Sequence, residues 1–201
     1  TQLSKVSIAD IPVSNPYDGS LILTNERIDT FIKRQVDDLN VTVTGGVTVP
    51  NPIETPFQYL DKLLFLYPKN TVDTPYEITV TEVTSEQCVG DDTPIEGTLQ
   101  YVLNDNPLKY VNLTINEFPN IYNSNRVFKN CKSLVSIDAS QFGKIGNADS
   151  MFEDCSSLRE LRNPDFGWLE SANAMFYGCS SLADIDTSTF TVLKSADIMF
   201  Y

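Results

Sequence analysis

Four cysteines, Cys88, Cys131, Cys155 and Cys179, are the side chains whose spacing first invites a chemical reading. The last three recur at an even interval, from 131 to 155 to 179, which belongs neither to a zinc site nor to a CxxC redox pair. The chain has no histidine, which removes the usual general base, the commonest metal ligand and any Ser-His or Cys-His nucleophile pair. Thiols placed once per turn of a regular array lie in a line and cannot surround a tetrahedral metal. They read as free, buried, small apolar side chains that require no oxidising compartment. The acidic pairs Asp91-Asp92, Glu153-Asp154 and Asp184/Asp186 offer carboxylates for Ca²⁺ or for glycoside hydrolysis. None has EF-hand spacing, and no motif positions a nucleophile near them. The residues therefore predict a chain without catalytic side chains, bound metal or cofactor.

Shifting the sequence on itself so that Cys131 falls on Cys155 shows which elements must position these groups. One column reads Val127, Met151, Met175 and Met199, and the next Phe128, Phe152, Phe176 and Phe200. The cysteines follow, then Leu134, Leu158 and Leu182, then Ile137, Leu161 and Ile185. Phe142, Phe166 and Phe190, then Ile145, Leu169 and Leu193, then Ala148, Ala172 and Ala196 complete the set. The chain thus carries a 24-residue repeat. One such unit cannot bury its own apolar ring, whereas stacked units bury each ring against the next. Residues 134–138, 158–162 and 182–186 read as short parallel strands about 4.8 Å apart. Segments 148–152, 172–176 and 196–200 read as helical or 3₁₀ turns on the opposite side. Residues 110–126 carry Leu113, Phe118 and Ile121 in register but place Asn104 and Pro107 in the Phe and Cys columns, as a degenerate first turn would. At the far end, Met199-Phe200-Tyr201 falls in mid-repeat, so the array is expected to continue or to be covered by a partner.

The stretches Ser150-Met151-Phe152-Glu153-Asp154-Cys155-Ser156-Ser157-Leu158 and Ala174-Met175-Phe176-Tyr177-Gly178-Cys179-Ser180-Ser181-Leu182 resemble the MF-x-x-C-S-S-L repeats of the BspA-like leucine-rich-repeat family. That family occurs in bacterial surface proteins, mycoplasma lipoproteins and some viruses of gut bacteria. The resemblance covers about residues 110–201 and implies an α/β solenoid of short parallel strands, used for surface display rather than for a reaction. Two local departures are Val127 in the Met column, and Arg162-Asn163-Pro164 where Asp138 and Asp186 keep an Asp-x-Ser pattern.

Residues 1–39 read as an N-terminal arm followed by an amphipathic helix over 25–39, with Ile28, Phe31, Ile32, Val36 and Leu39 as its apolar face. That face suits ordinary packing, docking or an oligomer seam. Residues 40–106 read as a small β-rich domain. It would hold a Gly45-Gly46 hairpin over 41–49, an apolar helix or strand over 59–67, and strands over 76–83 and 97–103. Residues 107–201 form the repeat domain.

The net charge of −13 argues against nucleic acid, whose phosphates need clustered Lys and Arg. No stretch approaches the roughly 20 apolar residues of a membrane span, and the first residues show no export signal. On the predicted strands, Val135, Ser136 and Asp138 align with Arg159, Glu160 and Arg162, then with Ala183, Asp184 and Asp186. Such variable positions form one exposed ladder, the usual binding face of a repeat protein. Trp168, in the column of Lys144 and Val192, offers a further contact for a sugar ring or a partner pocket. Taken with the family resemblance, the N-terminal arm, the lack of an export signal and the mid-repeat end favour a virion structural protein of a gut-bacterial phage, of head-fibre, decoration or tail-fibre type. In that reading the N-terminus docks to capsid or tail proteins, a homotrimer is favoured, and the repeats meet a host-surface glycan or protein. The alternative is a bacterial cell-surface or secreted adhesin, and the outsider is a glycan-active enzyme.

Overall fold

Strand β1 (Ile53–Pro56) opens the architecture seen in a computed structural model of the chain, which describes residues 52–201. Helix α1 (Phe57–Leu66) and strand β2 (Tyr76–Thr81) follow, then a 3₁₀ turn (Ser85–Cys88) and helix α2 (Leu99–Asp105). Strands β3 (Val111–Ile115), β4 (Leu134–Asp138) and β5 (Glu160–Arg162) complete the order. All five strands join one parallel sheet in sequence order, β1-β2-β3-β4-β5. The expected arm, the helix over 25–39 with Ile28, Phe31, Ile32, Val36 and Leu39, and the hairpin over 41–49 lie outside the described residues.

The register explains the sheet's inner face. Ile53, Ile78, Leu113, Ile137 and Leu161 are successive partners across the five strands, and all are buried. Leu113, Ile137 and Leu161 keep the even interval that the sequence predicts. Ile78 and Leu113 stand further apart along the chain, because the 3₁₀ turn and α2 are inserted between them. The parallel sheet thus extends two strands further toward the N-terminus than the 24-residue sequence pattern does. Asn51–Tyr201 is one compact unit, and the boundary expected at 106/107 falls inside its sheet.

Helix α1 buries Phe57, Leu60, Leu63 and Leu64, the spacing of one helical stripe. It stops at Tyr67, which Pro68 holds extended (ψ 145°). The Lys109 ammonium donates to the Leu64 carbonyl at 2.7 Å and to the Tyr67 carbonyl, a cation placed at the negative end of the helix. The segment 97–103, expected as a strand, is instead a turn and cap at 97–98 followed by the first residues of α2. Thr98 makes the difference: its hydroxyl accepts the Tyr101 N–H at 3.2 Å and caps the helix. Buried Gln100 binds both the N–H and the C=O of Asp91 and also donates to the Lys129 carbonyl. Asn104 donates to that same carbonyl. Two side-chain amides of α2 therefore meet at the Lys129 carbonyl.

On the side opposite the sheet, residues 124, 126, 128 and 130 donate their N–H groups to the carbonyls of 147, 149, 151 and 153 in the next unit, at 2.8–3.1 Å. The pattern recurs from 148, 150, 152 and 154, and again from 172, 174, 176 and 178. Of the expected helical or 3₁₀ turns these segments keep only single turns closed by bonds of the 3₁₀ type, such as the Met151 N–H to the Ala148 carbonyl at 3.1 Å. They are joined by parallel bridges such as Asn123–Asn147–Ser171–Ser195 rather than running on as helices. Backbone conformation is the reason. Arg126, Ser150, Ala174 and Ile198 all have positive φ, as do Asn130, Asp154 and Gly178. Left-handed residues at every fourth position break a helix. Phe128, Phe152 and Phe176 stack inside and the exposed Phe200 continues the column, at 5.3, 5.6 and 5.4 Å with nearly parallel rings. The second column, Phe118, Phe142, Phe166 and Phe190, packs edge-on or tilted.

Candidate functional site

The outer face of the sheet keeps part of the predicted ladder, Asp138, Arg159, Glu160 and Arg162, and two corrections apply to the rest. Val135 and Ser136 are buried, not exposed. Ser136 lies between its strand partners Asn112 and Glu160. The Arg162 guanidinium reaches past β4 to the Leu113 carbonyl at 2.9 Å and the Thr114 hydroxyl at 3.2 Å. Arg159 donates to Asp73 at 2.9 Å. Arg159 and Glu160 are exposed, and Asp138 and Arg162 half-buried. Asn112 Oδ1 and Arg162 Nε are buried without a protein partner, so this face holds an acceptor and a donor that water or a ligand would satisfy.

The second correction concerns the last turn. Residues 182–186 form no strand, so Ala183, Asp184 and Asp186 are exposed but not registered against Arg159, Glu160 and Arg162. Leu182, Ile185, Phe190 and Leu193 of this turn are only half-buried, and a strand gains little where its inward side chains remain wet. Asp138 and Asp186 also have a local role. Each accepts the N–H of the serine two positions on, at 2.9 Å, which turns the chain after the strand position. Burial raises the Asp138 pKa, but bonds from Ser140 and Asn163 and the Arg162 charge outweigh it and hold the carboxyl below its usual range.

The thiols are free and buried. Cys155 and Cys179 donate to the carbonyls of Phe128 and Phe152 in the preceding unit, at 2.9 and 3.0 Å. Burial pushes Cys88 and Cys179 up to about 12 and raises Cys131 and Cys155 as well. Such thiols are poor nucleophiles and poor ligands. Among the described residues no three His, Cys, Asp or Glu side chains come together as a metal site, and no helix is long and apolar enough to cross a membrane.

Trp168 stands apart from the strand ladder and is 62% exposed. It borders a groove of about 360 Å³ built from the segments that follow the carboxyl ends of β3, β4 and β5. Asn120, Ser140, Gln141, Lys144 and Asp165 supply the groove's polar groups.

One polar column is absent from the sequence expectations. Asn125 Oδ1 accepts the Asp149 N–H at 3.1 Å, Asp149 Oδ1 the Asn173 N–H at 2.8 Å, and Asn173 Oδ1 the Asp197 N–H at 2.8 Å. Its signal is the alternation Asn, Asp, Asn, Asp at the interval of the repeat, which a search for apolar columns passes over. Tyr177 and Tyr201 form another unforeseen stack, at 5.4 Å. Comparisons with family models, curated proteins and solved structures find no match.

Proposed function

We propose that the chain is a non-enzymatic, BspA-like leucine-rich-repeat solenoid that serves as a virion structural protein of a gut-bacterial phage. As a head fibre, decoration protein or tail fibre it displays its repeats for attachment to the host surface, with residues 1–39 docking to the particle and favouring a trimer. The observation that carries this reading is the repeat register. It commits the thiols, the phenylalanine rings and the Asx column to stacking, and leaves variable charged residues, Arg159, Glu160 and Arg162 among them, on the outer face. A surface that varies from unit to unit over an invariant core is what recognition requires and what a reaction centre does not.

Light scattering on the full chain and on a variant lacking residues 1–39 tests the assembly part. The fibre reading expects a trimer for the full chain and a monomer for the variant. A monomer in both cases removes the support for self-assembly and favours the second reading, a bacterial surface or secreted adhesin, for which the charged outer face serves equally.

A further inference from the structure

We infer that the Trp168 groove is a carbohydrate subsite, in which a pyranose ring stacks on the indole while its hydroxyls bond the polar rim. The inference deepens the attachment reading and rests on it for biological meaning, but places recognition at the carboxyl ends of the strands rather than on the strand ladder.

Four observations converge. The first is the platform. Trp168, with most of its surface in water, sits in a column where the other units carry Asn120, Lys144 and Val192. An indole is the largest flat apolar face available to a protein, and its electron-rich surface attracts the polarised C–H bonds on one face of a sugar. The second is the rim. Asn120 and Gln141 carry amides, Ser140 a hydroxyl, Asp165 a carboxylate and Lys144 an ammonium. Together they both donate and accept, as hydroxyl groups do. One cation beside one anion leaves no net positive charge for a phosphate, and the polar lining disfavours a purely apolar ligand.

The third is fixed geometry. Asp165 Oδ1 accepts the Gly167 N–H at 3.2 Å, which shapes the turn that presents Trp168. A Cβ on Gly143 would lie 2.4 Å from Asp165 Oδ2, so the carboxylate rests where only glycine leaves room. The Phe166 N–H donates to Thr189 Oγ1 at 3.2 Å and ties the same turn to the next unit. The fourth is size: about 360 Å³ lies within the range of roughly 300–1,000 Å³ typical of small-molecule clefts.

Trp168 is the chain's only tryptophan, so its emission reports on this groove alone. The test titrates the intact chain with a panel of soluble di- to tetrasaccharides of neutral hexoses, N-acetylhexosamines and uronic acids, up to about 10 mM, well above the constant of a weak millimolar site. The expected result is a saturable blue shift with at least one saccharide, weakened about tenfold or more in Gln141→Ala, whose side chain is exposed, with its circular dichroism unchanged. Binding of that saccharide to Trp168→Ala, read by calorimetry, should be lost while the circular dichroism is unchanged. No shift with any saccharide, or a shift that Gln141→Ala and Asn120→Ala leave intact, overturns the inference. Adsorption of labelled chain to gut-bacterial cells separates the two ideas. Wild-type and Trp168→Ala chains that adsorb equally overturn the subsite and spare the attachment reading. A saccharide-specific shift without adsorption to any cell does the reverse.

Discussion

Phe152 shows at the single-residue scale how the repeat holds together. Fully buried, its ring lies between Phe128 and Phe176. Phe152→Ala should therefore cost about 3–5 kcal/mol in urea unfolding, the usual range for emptying a buried aromatic site. Phe190→Ala, in the half-buried last turn, should cost clearly less, and equal losses would contradict the stacking account. Asp149 gives a polar counterpart. Its Oδ1 accepts both the Asn173 N–H and the Ser171 hydroxyl. Asp149→Ala should cost about 1–3 kcal/mol for the stranded donors, whereas Asp149→Asn should be nearly neutral, because Asn173 performs the same task one unit on. The thiols give a pH dependence with a definite sign. Their folded pKa values are raised, so the unfolded chain loses its thiol protons first as pH climbs from about 9. The stability they contribute should be fully present below that value and fall as pH rises toward 12. Ellman's reagent at about pH 8, below the ordinary thiol range, should label none of the four thiols until denaturant is added.

At the scale of elements, α2 and the left-handed turns make the next predictions. Gln100 ties α2 to Asp91 and Lys129 through three bonds while fully buried. Gln100→Ala should destabilise the chain by about 1–3 kcal/mol and speed amide exchange in α2 before exchange in β4. Ala174 occupies a left-handed position (φ 52°) that costs an L-residue about 1–2 kcal/mol, so Ala174→Gly should be neutral or stabilising even though glycine usually weakens ordered structure. The elements also show what the sequence could and could not disclose. Columns such as Phe128, Phe152 and Phe176 were legible because burial demands the same shape at every turn. The left-handed residues were not, since Arg126, Ser150, Ala174 and Ile198 share no side-chain chemistry and only backbone geometry. The strands β1 and β2 were hidden for a different reason. Ile53 pairs with Ile78 and Ile78 with Leu113, two unequal steps along the chain, so no fixed shift aligns them with the repeat. The exposure of Arg159 and Glu160 was legible, but the burial of Ser136 was not, because it depends on neighbours contributed by two other strands.

For the whole molecule, acidity and regularity point the same way. A net charge of −13 is unfavourable for phosphate-rich partners, and the register commits most repeated side chains to stacking. What remains for recognition is surface: the charged outer face of the sheet and the groove beside Trp168. Together they support the proposal that the chain attaches to a bacterial surface without transforming it. Adsorption of the labelled full chain to a panel of gut-bacterial cells measures that claim most directly. Saturable binding to some strains, competed by unlabelled chain and leaving surface glycans uncleaved, is the predicted result. Absence of binding across the panel, or release of glycan fragments by the purified chain, would contradict it.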